Sequence, residues 1–241
     1  IWQRIEAAWK IYEPLPQTNE EAATWNKFVP EWNAWKKDHE TYVELSKEYD
    51  QYVESAFLGD ETYEKMIEQA LVVNGVSFVK SESLLNQIAE IYTSKAKTDY
   101  SNESFDRTAF VTVQSLLTMS EGQTAIDSSE NALLCRGIDL ETRQAQYNRI
   151  EGAWQRIEEA WKVYEPLEQT ANEKNLWSKF VPAWNAWKKD HETYVRLSKE
   201  FDRYVEDGFK ADETYEKMTH QALTVNGVTF GESEALLSRI V

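Results

Sequence analysis

The chain has 241 residues, 41% of them hydrophobic, and its 10 Trp, 12 Tyr and 9 Phe supply ample apolar surface for a packed core, which argues against a disordered chain. A formal net charge of −16 and a pI of about 4.7 make nucleic acid and anionic membrane surfaces poor partners, because long-range repulsion opposes the encounter. Only 8 Gly and 5 Pro leave little turn chemistry for strands, and the single Cys135 excludes an intrachain disulfide, cysteine zinc sites and covalent haem.

There is no run of 18 apolar residues, so no segment reads as a membrane span, and no signal peptide is recognisable. Ile1-Trp2-Gln3-Arg4 carries no helix-start signal. The chain is therefore expected to be a fragment that opens in mid-helix.

In chain order, the first segment carries Trp2, Ile5, Trp9 and Tyr12 at 3-4-3 spacing, one apolar helix face that Pro14 ends. Thr18 with Glu21 three residues on is a capping box. The long helix that follows has the seam Trp25, Phe28, Trp32, Trp35, His39 and Tyr42. Pro30 lies within its register and predicts a kink, not a stop. Asp60 is expected to cap a shorter helix, Asn74-Gly75 to end it, and Ser81 to cap the next. Ser101-Asn102-Glu103 reads as a break. A helix from about Phe105 to Leu134 follows, and Gly137 turns the chain into a helix through Tyr147 and Trp154.

From Trp154 the pattern starts again. Trp2-Gln3-Arg4-Ile5-Glu6 matches Trp154-Gln155-Arg156-Ile157-Glu158, and the match runs without a gap to Leu84-Leu85 and Leu236-Leu237, with roughly 70% of aligned positions identical. Pro166, the Thr170–Glu173 capping box, Pro182, the seam Trp177, Phe180, Trp184, Trp187, His191 and Tyr194, then Asp212, Asn226-Gly227 and Ser233 all recur. The period is far longer than a solenoid repeat of about 20–50 residues, so the repeating unit is domain-sized. The expectation is an all-α chain of two tandem four-helix-bundle-type units with long antiparallel helices: residues 1–100, whose first helix is missing, and residues 101–241.

Gln123-Thr124-Ala125, Glu130-Asn131-Ala132-Leu133-Leu134, Glu141-Thr142-Arg143 and Gln146-Tyr147-Asn148-Arg149-Ile150 lead into Ala160-Trp161-Lys162-Val163-Tyr164-Glu165-Pro166-Leu167, then Trp177, Phe180, Trp184, Trp187 and Lys188-Lys189-Asp190-His191. This resembles the periplasmic four-helix-bundle sensor region of bacterial methyl-accepting chemotaxis receptors. The resemblance covers nearly all of the second copy and the matching part of the first, but the duplication departs from the usual single bundle. It implies the extracytoplasmic part of an inner-membrane receptor, anchored in the membrane and acting as a homodimer. A small-molecule ligand would shift a helix and bias a cytoplasmic signalling region.

The candidate ligand-binding residues are Arg107, Arg143, Arg149, Trp154, Trp161, Trp184, Trp187 and His191. Guanidinium groups suit a carboxylate ligand, an organic acid or amino acid, whereas a Trp cluster suits an amine by cation–π attraction. The competing readings are an ion-paired helix face for the arginines and core packing for the tryptophans and His191. Burying one Trp removes roughly 150–250 Å² from water, worth about 4–6 kcal/mol. No catalytic motif, metal constellation or cofactor fingerprint is present, so neither an enzyme nor a cofactor is expected. The rival functions are a non-sensing scaffold or a module that binds a protein partner, including a soluble binding protein that delivers the ligand.

Overall fold

The computed structural model describes residues 2–54, 60–74, 76–78, 80–81, 83–85, 87–88, 91, 107–207 and 211–240, with backbone alone at 4, 52–54, 60, 61, 71, 72 and 107–109. The expected break at Ser101-Asn102-Glu103 lies outside the described residues. The regular elements are helices, and no strand occurs among the described residues: the protein is all-α. Two compact units divide the chain, Ile1–Phe105 and Asp106–Val241.

In the first unit, α1 (Trp2–Tyr12) and α2 (Asn19–Glu54) form a hairpin, followed by α3 (Asp60–Glu68) and a π-helical turn, π1 (Gln69–Val73). The Thr18 capping box is made: the Thr18 amide donates to Glu21 at 2.7 Å, and the Glu21 amide donates to the Thr18 hydroxyl at 3.2 Å. The 3-4 spacing sets large rings facing each other across the hairpin, Trp9 to Trp25 at 4.7 Å and Trp2 to Trp35 at 5.6 Å between centroids. Among the described residues of this unit, the buried apolar ones form a small cluster of Trp25, Phe28 and Ile88, with Trp9, Tyr12, Val29, Trp32 and Leu84 packed against it.

The second unit contains α4 (Arg107–Leu133), α5 (Leu140–Tyr164), α6 (Ala171–Glu206), α7 (Asp212–His220), a π-helical turn π2 (Gln221–Asn226) and α8 (Gly227–Ile240). The α4 helix packs along α5 and also meets α8, while α6 packs along α8, α7 and π2. The seam expected from the spacing is the core, with Phe180, Trp187 and Tyr194 fully enclosed and Trp177 and Trp184 nearly so. From α4 come Leu116, Met119, Ile126 and Leu133, and from α8 come Leu237 and Ile240. Where α4 packs on α5, Gly122 has no side chain to hold them apart; a Cβ there would lie 2.5 Å from Ile157 Cγ1.

Thr170 and Glu173 close their capping box at 2.7 and 3.2 Å, and α6 continues unbroken through Pro182. Three local expectations are corrected. Asn226-Gly227 does not end a helix: Gly227 has φ −58°, ordinary helical geometry, and the chain runs from π2 directly into α8. The reason is that Asn226 is buried and uses its amide inside the core. Ser233 is no cap either; it lies buried within α8, where its hydroxyl donates to Phe230 O at 2.9 Å and accepts from Gln123 Nε2. Asp212 makes no side-chain capping bond; its carboxylate takes Arg136 at 2.9 Å instead. Ser81 repeats the Ser233 pattern, donating to Phe78 O at 2.9 Å.

Candidate ligand site

The polar chemistry of the second unit is concentrated where α5 and α6 face each other. Asp139 caps α5, accepting from the Thr142 amide at 2.7 Å, and so sets the phase of Arg143, Tyr147, Ile150 and Trp154 along one face. Lower on that face, Arg143 is 2% exposed. Its Nε donates to Asp202, Nη1 to Leu133 O at 2.7 Å and Nη2 to Ser198 Oγ at 2.8 Å. The Tyr147 hydroxyl donates to Asp202 Oδ2 at 2.6 Å and shares a 2.7 Å bond with Ser198. Burial, together with the Asp202 carboxylate that accepts its proton, pushes the Tyr147 phenol up to about 12, so it remains a donor at neutral pH. The Arg143 fork is occupied by the protein's own groups, so it clamps α5 to α6 and to the end of α4.

Two turns further along α5 lies a four-residue chain of bonds. The Trp154 indole N–H, which can only donate, bonds His191 Nε2 at 3.0 Å. That bond assigns the remaining imidazole proton to Nδ1, which meets Glu130 Oε1 at 2.6 Å. Asn226 Nδ2 donates to both oxygens of the same carboxylate, at 3.0 and 2.9 Å. Gln221 Nε2 reaches Asn226 Oδ1 at 3.0 Å across π2, and the Tyr194 hydroxyl donates to Glu130 O at 2.7 Å. Glu130 is 2% exposed, and a carboxylate so buried persists only when its oxygens are taken up in this way. The widened π turn brings the Asn226 amide to it.

The outer side of this network is a groove of about 570 Å³ between α5 and α6. Its floor includes Trp154, His191 and Tyr147, and its rim includes Lys188, Lys199, Glu151, Glu158 and Glu192. Lys188 Nζ stands 4.9 Å over the Trp154 ring, and Lys199 Nζ stands 5.4 Å over the Tyr147 ring. A neighbouring hollow of about 310 Å³ continues along Trp161 and Trp184. In the first unit a hollow of about 320 Å³ has the matching residues Trp2, Trp9, Trp32 and Lys36, with Lys36 Nζ 5.6 Å over the Trp2 ring.

No known family, curated protein or solved structure matches this chain.

Of the residues named from sequence, Trp154, Trp161, Trp184 and His191 line these adjoining hollows. Trp187 is fully enclosed beneath them. Arg143 is buried in its ion pair, Arg149 does not line the groove, and the Arg107 side chain lies outside the described residues. Among the described residues no three His, Cys, Asp or Glu are grouped to hold a metal ion, and no helix is long and apolar enough to cross a membrane.

Sequence reasoning missed Glu130, Asn226, Tyr147, Ser198 and Asp202 as site residues. A signal existed for the last two, since Ser198 and Asp202 continue the seam of α6 at i and i+4 with polar groups. Glu130 gave none, because a single Glu in a long helix looks like a solvated residue.

Proposed function

We propose that this chain is the ligand-sensing helical region of a chemotaxis or related signal-transduction receptor, with the α5–α6 groove of the second unit as its ligand site. The observation that supports this reading most is the position of Trp154. It forms part of the groove floor and also begins the chain of bonds through His191 on α6 and Glu130 on α4 to Asn226 at π2. A ligand that tilts the indole strains a bond connecting elements throughout the unit. This is how differential binding to two packings would become a helix shift.

The groove chemistry favours an amino-acid zwitterion with an apolar side chain. Lys188 already occupies the cation–π position over Trp154, which disfavours a simple amine. Lys188 and Lys199 offer partners to a carboxylate, Glu151, Glu158 and Glu192 to an ammonium group, and the indole face to an apolar side chain. In this role the chain is the periplasmic portion of a membrane-anchored homodimer.

The test is a thermal-shift screen of amino acids, organic acids and amines at millimolar concentration. Binding to the folded state raises the melting temperature by mass action, by about 2.7 kcal/mol of stabilisation at a ligand concentration 100 times Kd. The expected result is a shift with apolar amino acids that Lys188→Ala and Trp154→Phe both abolish. A shift that survives both substitutions, or no shift with any class, overturns the assignment.

A further inference from the structure

The hollow between α1 and α2 of the first unit has a geometry of its own. Trp2 and Trp9 lie seven residues apart on α1, two helical turns or about 10 Å along its axis, and the smaller Ile5 stands between them. Trp32 of α2 meets both indoles, at 6.0 and 6.2 Å between ring centroids. Large side chains around a smaller one leave a slot of about 320 Å³ with an apolar floor. The four floor residues are each half-buried. Around the slot stand Glu6, Lys10 and Asn33, all exposed, and Lys36, whose Nζ lies over the Trp2 ring. Among the described residues, Glu6, Lys10 and Asn33 have no hydrogen-bond or ion-pair partner, so their polar groups are open to a ligand.

The slot recurs between α5 and α6 of the second unit, at about 310 Å³. Each of the eight residues lining the first hollow has an identical counterpart lining the second, the polar ones being Glu158, Lys162, Asn185 and Lys188. Trp184 lies 5.8 Å from both Trp154 and Trp161, and Lys188 keeps its place over Trp154 at 4.9 Å. Exposed neighbours that do not line the hollow have changed, Ala7 to Glu159 and Ile11 to Val163. The units also differ away from the hairpin, since Leu85 is 46% exposed and its match Leu237 is 1% exposed. The hairpin alone therefore shapes the slot. Neither the later helices nor the residues ahead of Trp154 are needed for it.

We infer that this hollow is a ligand site present once in each unit, for a small carboxylate with a flat apolar body such as an arylacetate. The flat body fits over Ile5 between the indoles, where offset and edge-on ring packing suits an aromatic group. The carboxylate meets Lys10, Lys36 and Asn33. Two ammonium groups and an amide against a single Glu make this rim locally positive on a chain of net charge −16. The same charges oppose an amine, and Lys36 already holds the cation–π position. An amino-acid zwitterion finds only Glu6 among the lining residues for its ammonium group. The wider α5–α6 groove offers Glu151, Glu158 and Glu192, so the two kinds of site differ in ligand class.

The experiment follows the indole N–H signals of the isotope-labelled full chain by NMR while phenylacetate is added to millimolar concentration. Single Trp→Phe substitutions assign the signals. Those of Trp2, Trp9 and Trp32 are expected to move together on one binding curve, and those of Trp154, Trp161 and Trp184 on another. Lys10→Ala and Lys36→Ala should each weaken the first curve about tenfold, the effect of one lost charge-assisted bond. They should leave the second curve unchanged, which also shows that the chain still folds. Phenylacetamide, of the same shape without the charge, should bind about tenfold more weakly at both. Leucine, read at Trp154 alone, tests the groove separately, so either assignment can fail without the other. Signals of Trp2, Trp9 and Trp32 that stay still, that move equally in both lysine variants, or that respond equally to phenylacetamide overturn the inference.

Discussion

Asp127 stands one turn before Glu130 on α4, half-buried, with the Asn131 amide at 3.2 Å from its carboxylate. Burial, and then repulsion from Glu130 and Glu234, raise its pKa from 3.8 to about 6. The folded state therefore takes up this proton before the unfolded state does. Between about pH 6 and 3.8 the folded form binds more protons, so stability from this group rises as pH falls and is level below that window. Solvent at a half-exposed site screens the effect to about 1 kcal/mol. Urea unfolding at pH 7 and pH 3.5 should show Asp127→Asn stabilising the second unit at pH 7 and having little effect at pH 3.5, with about half of the pH 7 effect left at pH 5; an equal effect at pH 7 and pH 3.5 would exclude the assignment. Neither this residue nor Glu130 was legible in the sequence. Hydropathy treats both as solvent-facing, and only the arrival of His191 and Asn226 from distant elements makes a buried carboxylate tenable. The tryptophans and His191 were legible, because each belongs to a strict 3-4 series of apolar positions.

Capping boxes and seams were readable at the level of elements because each depends on residues within one or two turns of each other. The Thr18 and Thr170 boxes and the limits of α4 follow from such local chemistry. The π turns did not, since Asn-Gly is also a common helix terminus; π1 and π2 both form, and in each the Gln that opens the turn meets the Asn that follows it, at 2.9 and 3.0 Å. The α4–α5 contact was equally hidden: Gly122 looks like a mild helix weakener until Ile157 is placed against it. Substituting Gly122→Ala adds helix propensity of about 1 kcal/mol but sets a Cβ 2.5 Å from Ile157 Cγ1 and 2.8 Å from Cδ1. Overpacking of this kind costs about 1–3 kcal/mol, so a net loss of stability is expected. In an Ile157→Ala background the obstruction is gone, and the same substitution should be neutral or stabilising. A double-mutant cycle by chemical denaturation measures that coupling. Additive effects would mean that the helices separate freely and that the close approach is not held by packing.

For the whole molecule, the decisive comparison is between two units of nearly the same sequence and very different cores. Among the described residues, the first encloses Trp25, Phe28 and Ile88 with half-buried neighbours, while the second encloses its full seam together with contributions from α4, α5 and α8. Each fully buried large side chain contributes about 1.5–3 kcal/mol, and that contribution falls with exposure, so the first unit should be the weaker. Intrinsic helix propensity cannot make up the difference, because α2 and α6 have almost the same composition and length. Thermal unfolding followed by tryptophan fluorescence should then show two transitions, which departs from two-state behaviour. Trp35→Phe should lower only the first transition and Trp187→Phe only the second, because each ring packs within its own unit. A single transition that responds equally to both substitutions would instead mean that the two units fold as one cooperative body. Near-identical sequence would then have been given equal stability by its surroundings, despite the unequal burial of Leu85 and Leu237.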